Sequence, residues 1–164
     1  MSVDKEHIER IVQLVLKGLS SSDQGASLSE SRGVIDGVFR EMEDAIQAAV
    51  VAQKKLVGLP LAVRERIIQA IRDVGWANRV EYGRMELEEA ELGAVDGTVL
   101  KMEVACGVPG MEDLASEGYT GDLGTTIIER TPVGIIASIN AVTNAAPAII
   151  HNGIMMLAGG NAVV

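Results

Sequence analysis

Two asparagines frame the stretch with the most chemical promise, Asn140-Ala141-Val142-Thr143-Asn144. It follows an apolar run, Ile135-Ile136-Ala137-Ser138-Ile139, and precedes a helical pattern over about residues 146–157. In open α/β sheets, ligands bind beyond the carboxyl ends of the strands. The helix that follows presents free backbone N–H groups and the positive end of its dipole. An Asn side chain at that point can donate a hydrogen bond to an oxyanion or a carbonyl oxygen. The simpler alternative is that Thr143 or Asn144 caps the helix, and spacing alone favours the cap.

Other chemistry-bearing residues are few. Cys106 is the sole cysteine, in Glu103-Val104-Ala105-Cys106-Gly107 at an expected helix end. Acidic neighbours and a helix C-terminus disfavour a thiolate, so a structural role is expected, with no cation nearby to lower its pKa. His151 lies in an apolar helix without an obvious partner and is expected to be packed or partly exposed. Trp76 and the pair Met155-Met156 are expected in the core. One cysteine and two histidines exclude a disulfide framework and argue against a metal site. The glycine fingerprint of dinucleotide-binding turns is absent: Gly134 precedes the strand and Gly153 lies inside the helix.

The elements that must hold these residues fall into three zones. Ile8, Ile11, Val12, Val15 and Leu19 form a stripe at helical period, followed by a Ser/Gly-rich tract. This predicts an amphipathic helix over residues 1–19 and a flexible linker over 20–33. The helix either folds back on the body or docks into another protein. From Val34 to Tyr119 the pattern is mostly helical, with four helices separated at Leu59-Pro60-Leu61, before Val80 and before Asp96. Between Glu81 and Asp122 stand eleven acidic residues and two basic ones, Arg84 and Lys101. Such a run reads as a solvated face. After Gly107-Val108-Pro109-Gly110 the period changes. Thr125–Glu129 and Ile135–Ile139 read as strands, then the helix, then a strand from Ala162, which together make a parallel βαβ unit. The fold class expected is α/β, with an incomplete Rossmann-type domain after the helical segment. The chain stops in mid-pattern at Val164, which suggests the front piece of a longer protein.

Composition narrows the function classes. The 164 residues are 48% hydrophobic and 23% charged, with mean hydropathy +0.24, which is enough to build a core. A net charge of −9 argues against nucleic acid or a polybasic membrane contact. Aromatic residues at 2% argue against base stacking. Thr131 to Val164 lacks Asp, Glu, Lys and Arg altogether, but Pro132, Asn140, Asn144, Pro147 and Asn152 interrupt it. No clean apolar run of about 18 residues is left to span a membrane.

The run Gly121-Asp122-Leu123-Gly124-Thr125-Thr126-Ile127-Ile128-Glu129-Arg130-Thr131-Pro132-Val133-Gly134-Ile135-Ile136-Ala137-Ser138-Ile139, with Thr143-Asn144 and Asn161-Ala162-Val163-Val164 after it, resembles the aldehyde dehydrogenase superfamily. The branch it most resembles is the CoA-acylating aldehyde dehydrogenases of bacterial microcompartments. Pro109-Gly110-Met111-Glu112-Asp113-Leu114 is similar to a motif of the same branch, as is Thr143-Asn144, where other members have Trp-Asn. The resemblance covers residues 34–164 as the N-terminal part of an NAD-binding domain. It implies oxidation of a small aldehyde with NAD or NADP through a cysteine thioester, and acyl transfer to coenzyme A as co-substrate. Asn144 would be the catalytic oxyanion donor. Asn140, Ala141, Val142 and Thr143 would lie beside the cofactor's nicotinamide half. The family's nucleotide site lacks the standard glycine fingerprint.

The resemblance also turns residues 1–19 into an encapsulation peptide for a microcompartment shell protein. It implies a cytoplasmic microcompartment lumen and a homo-oligomer at full length. The branch has prolines before the Thr-Asn and directly after the Asn; here those places read Asn140-Ala141 and Ala145-Ala146, with Pro147 two residues late. The family's nucleophilic cysteine, most of the adenosine-binding segment and a distal acid lie downstream of the matched region, and Cys106 does not match the nucleophile. The competing class is a non-catalytic interaction or scaffold protein that retains the targeting helix and half of a cofactor domain.

Overall fold

A computed structural model describes residues 37–164. The helix expected over residues 1–19 and the linker over 20–33 lie outside the described residues. Among the described residues there are five α-helices: α1 (Met42–Val57), α2 (Leu61–Ala77), α3 (Arg79–Ala90), α4 (Val95–Cys106) and α5 (Ala145–Ala158). α1 carries Glu43 and Asp44 in its first turn and Lys54 and Lys55 in its last, matching the helix dipole at both ends. Pro60 ends that pattern and immediately precedes α2. Glu91, at φ 54°, terminates α3 in the left-handed region, where glycine is the usual residue.

α2, α3, α4 and α5 pack into one group, and α1 packs against the small sheet. The innermost cluster is Ile68, Ile154 and Ala158, with Ile71, Val108, Met111, Leu114, Ile150 and Leu157 around it. Met102 and Thr98 on α4 are also buried. Helices also approach closely at Gly75: a Cβ there would lie 2.8 Å from Cys106 Sγ and 3.3 Å from two carbons of Ile150. Glycine thus allows α2 to meet α4 and α5 at van der Waals distance.

Strands β1 (Glu117–Gly121) and β2 (Gly124–Ile128) form an antiparallel hairpin, with Glu117 opposite Ile128 and Gly121 opposite Gly124. Every residue of both strands is exposed. β1 begins at the end of the zone expected to be mostly helical, which closes at Tyr119. Its sequence, Glu-Gly-Tyr-Thr-Gly, has no apolar alternation, because neither face is buried. Strands β3 (Ile135–Ile136) and β4 (Ala162–Val163) pair in parallel, with Ile135 opposite Ala162, and α5 connects them. The βαβ unit is therefore present, with shorter strands than the apolar runs predict. Ser138 N–H still reaches Val164 O at 2.7 Å. Ile139 is 98% exposed, because among the described residues β3 pairs with β4 alone.

Three side chains fix this unit. Asn161 Oδ1 accepts from Val133 N–H at 2.7 Å and Gly134 N–H at 3.0 Å. Arg64 of α2 donates to Ala158 O at 3.3 Å, at the carbonyl end of α5. Gln53 of α1 donates to Gly160 O at 3.1 Å. The turn after α5 is thereby tied to two helices that precede it by about a hundred residues. The expectation that Trp76 and the Met pair are core residues fails for Trp76 and Met155, while Met156 is half-buried. Trp76 is 50% exposed with Arg79 stacked 4.7 Å from its ring, and Met155 is 46% exposed. Both lie on helix faces that no described element covers.

Candidate functional site

Beyond the C-terminal end of β3 the chain makes one 3-10 turn, Val142–Asn144, before α5 begins. Asn144 N–H bonds to Ala141 O at 3.0 Å, which closes the turn. Asn144 occupies the N-cap position of α5, with no hydrogen bond from its side chain to the helix. The cap that spacing favours is therefore not formed by this side chain. Asn144 lines a pocket of about 630 Å³ with Asn140, Ala141, Lys101, Pro147 and His151. Leu100 and Val104 of α4 supply an apolar wall.

Of the residues the sequence singles out, the pocket gathers Asn140, Ala141, Asn144 and His151. Val142 and Thr143 are not among its lining residues; Thr143 enters through its carbonyl. That oxygen accepts from Lys101 Nζ at 2.6 Å. The same ammonium bonds Glu86 Oε1 of α3 at 2.6 Å. Glu86 is 3% exposed, so it departs from the solvated acidic face expected of its neighbourhood. It is buried between α3 and α4 because Lys101 supplies an opposite charge there. Sequence reasoning missed both residues. The available signal was Lys101 itself, one of two cations in a long acidic run.

A second set of polar contacts braces Asn140. Ser138 Oγ donates to Asn140 Oδ1 at 3.0 Å, and Asn152 Nδ2 donates to Ser138 Oγ at 2.7 Å. Asn152 Oδ1 faces His151 Nδ1 at 2.9 Å. Since that oxygen accepts, the contact places a proton on Nδ1. His151 is thus half-buried and hydrogen-bonded, and its partner is a neighbouring amide.

Cys106 ends α4 and is buried. Val104 and Ala105 line the pocket, whereas Cys106 is not among its lining residues. Burial raises its pKa; Arg72 and Arg79 lower it less, and Glu103 raises it further. Cations do stand near the thiol, contrary to the sequence expectation, because α2 and α3 bring them across in space. Desolvation outweighs them. Among the described residues no group of three His, Cys, Asp or Glu is placed to hold a metal, and no helix is long and apolar enough to cross a membrane.

No protein-family model matches the chain. It is 37% identical over 171 residues to the acetaldehyde dehydrogenase (acetylating) of Bilophila wadsworthia, covering all of this chain and 35% of that protein. It is 37% identical over 163 residues to the acetylating acetaldehyde dehydrogenase EutE of Salmonella typhimurium, covering 99% and 34%. In structure it is similar to a propionaldehyde dehydrogenase from the Clostridium phytofermentans fucose utilisation microcompartment. The TM-score is 0.73 at 40% identity, over 77% of this chain and 29% of that one. This chain is homologous to the N-terminal portion of the CoA-acylating aldehyde dehydrogenases. It spans about a third of the length of the curated relatives it matches. A propionaldehyde dehydrogenase of Rhodopseudomonas palustris with bound CoA is similar at TM-score 0.74 and 38% identity, over 79% and 30%. An engineered glycolyl-CoA reductase with bound NADP+ is similar at the same score, identity and coverage.

For an acid whose folded pKa is raised, stability is complete below the unfolded pKa and is lost as pH rises through the folded one. The Cys106 thiol should therefore resist iodoacetamide in the folded chain and react on unfolding. Above the ordinary thiol range, stability should fall more steeply in the parent than in Cys106→Ala. Denaturant titrations across alkaline pH measure the difference, and equal slopes would show that the thiol is not held neutral by burial.

Proposed function

We propose that this chain supplies the oxyanion donor and the nicotinamide side of the cofactor domain in a CoA-acylating aldehyde dehydrogenase. The observation that carries this reading is Asn144 itself, whose side chain makes no hydrogen bond to its own helix and which lines a pocket beyond the end of β3. An amide fixed there donates to the aldehyde oxygen as negative charge develops on it. The lining of the pocket contains no carboxylate, and its one charged residue is Lys101. A nicotinamide with its anionic phosphates meets no repulsion there, so the residues present fit NAD or NADP. Asn140 and Ala141 would border the nicotinamide, and the Val142–Thr143 backbone would complete that edge. The nucleotide, when bound, accepts the hydride.

The thiol that attacks the aldehyde comes from the remainder of the enzyme, in line with the length of the relatives. Cys106 is unsuited to that step, being buried, neutral and outside the pocket. By itself the chain is expected not to form acyl-CoA. The substrate class is a short aldehyde, with coenzyme A as acyl acceptor, as in the names of the relatives.

In the whole enzyme, Asn144→Ala should lower kcat by about a hundredfold or more, with little change in NAD affinity. Steady-state NADH formation with acetaldehyde or propanal and CoA measures it. Near-normal turnover combined with a lower Tm would mean that Asn144 only shapes the start of α5.

The destination of the enzyme, in this reading, is a microcompartment lumen. Support comes from the apolar stripe Ile8, Ile11, Val12, Val15 and Leu19 and from the microcompartment source of a structural relative. Such a stripe fits a shell groove as an amphipathic helix. Residues 1–19 fused to a reporter should co-purify with shells, and Ile11→Glu with Val15→Glu should abolish this. Retention of the double variant on shells would refute the docking role.

A further inference from the structure

We propose that Lys101, held by the buried Glu86 carboxylate, is the positioning residue for the Asn144 amide. The proposal rests on the oxyanion role argued above and goes beyond it to residues that hold the donor in place. Lys101 Nζ stands 2.6 Å from Glu86 Oε1 and 2.6 Å from Thr143 O. It therefore ties α3 and α4 to the peptide unit immediately before Asn144. The Thr143 carbonyl and the Asn144 nitrogen belong to one rigid plane. Fixing that carbonyl fixes the N–Cα bond about which the Asn144 side chain is set.

Burial gives the contact its direction. Glu86 is 3% exposed, and its Oε2 has no hydrogen-bond partner. The carboxylate thus depends on Lys101 for compensation, and the ammonium, on a side chain that is 42% exposed, is drawn to it and to Thr143 O. Two of the three ammonium protons are then accounted for, one on Glu86 and one on Thr143. Lys101 also lines the pocket, so its charge and its clamp act on the same side of the Asn144 turn. The Asn144 N–H to Ala141 O bond at 3.0 Å is the other brace of this turn. A three-residue 3-10 turn has little internal support, so the anchor from outside sets its conformation.

A merely structural salt bridge would affect stability alone. A positioning residue affects turnover through Asn144, and a double-mutant cycle separates the two. The variants of the whole enzyme are Lys101→Met, Asn144→Ala and the pair together, with Glu86→Leu/Lys101→Met as the variant that leaves no buried charge unpaired. Lys101→Met should lower kcat by about tenfold to a hundredfold, the scale of a displaced catalytic group. KM for the nucleotide should stay within about twofold of the parent value, by the same argument that the loss lies in the reacting geometry. Combined with Asn144→Ala, Lys101→Met should cost less than about twofold more, because its target is gone. Glu86→Leu/Lys101→Met should regain the parent Tm and remain slow.

Lys101→Arg, which keeps a donor and the charge, should recover part of kcat. If Asn144→Ala turns over normally, the oxyanion reading fails first. If Asn144→Ala is slow and the apolar double variant is stable and fast, the positioning role is refuted while the oxyanion reading stands. Additive losses in the cycle also refute it.

Discussion

The Glu86–Lys101 pair joins two consecutive helices, α3 and α4, to the turn before α5, some forty residues further along the chain. A carboxylate buried to this extent needs a compensating charge, and Lys101, half-exposed, supplies it from the solvent side. α3 and α4 are therefore held at a fixed separation along this part of their interface. The spare reach of the ammonium goes to the Thr143 carbonyl, which has no strand or helix partner in the 3-10 turn. The geometry of Asn144 thus depends on helices that precede it by some fifty residues. Without that tie, the turn would keep only the bond from Asn144 N–H to Ala141 O.

The βαβ unit supplies the other half of the frame. Asn161 takes both Val133 N–H and Gly134 N–H on one oxygen, and this aligns the start of β3 with β4. Arg64 and Gln53 hold the turn after α5. Both ends of α5 are consequently fixed by side chains from outside the unit, Lys101 by way of Thr143 at one end and Arg64 at the other. Gly75 lets α2 approach Cys106 and Ile150 without a clash, so the helix group can be dense behind the pocket. The thiol is consumed by this packing, which accounts for a cysteine that is both central and unreactive.

Much of this was legible from the residues. Helical period located α1 to α5 to within a few positions, since each buries one face against another helix. The change to a β-branched run located β2 and β3, and Asn144 stood out through its place at a strand-to-helix junction. What escaped reading depends on distant contacts. β1 buries nothing, so it left no apolar pattern. Trp76 looked like a core residue, but its ring serves Arg79 at the surface. The cations beside Cys106 arrive from α2 and α3 and cannot be found among its sequence neighbours. Glu86 was hidden within a run of acids whose other members are mostly at the surface. Only the lone Lys101 hinted that one of them was paired.

The central claim is that Lys101 orders the turn carrying Asn144. Amide hydrogen exchange of the parent and Lys101→Met, read residue by residue, tests it most directly. The account predicts faster exchange at the Asn144 amide in Lys101→Met, by about tenfold or more for loss of a charged hydrogen bond. Ile154, deep in α5, should keep its protection after correction for the change in global stability. Unchanged exchange at Asn144, or an equal rise at Asn144 and Ile154, would contradict the account.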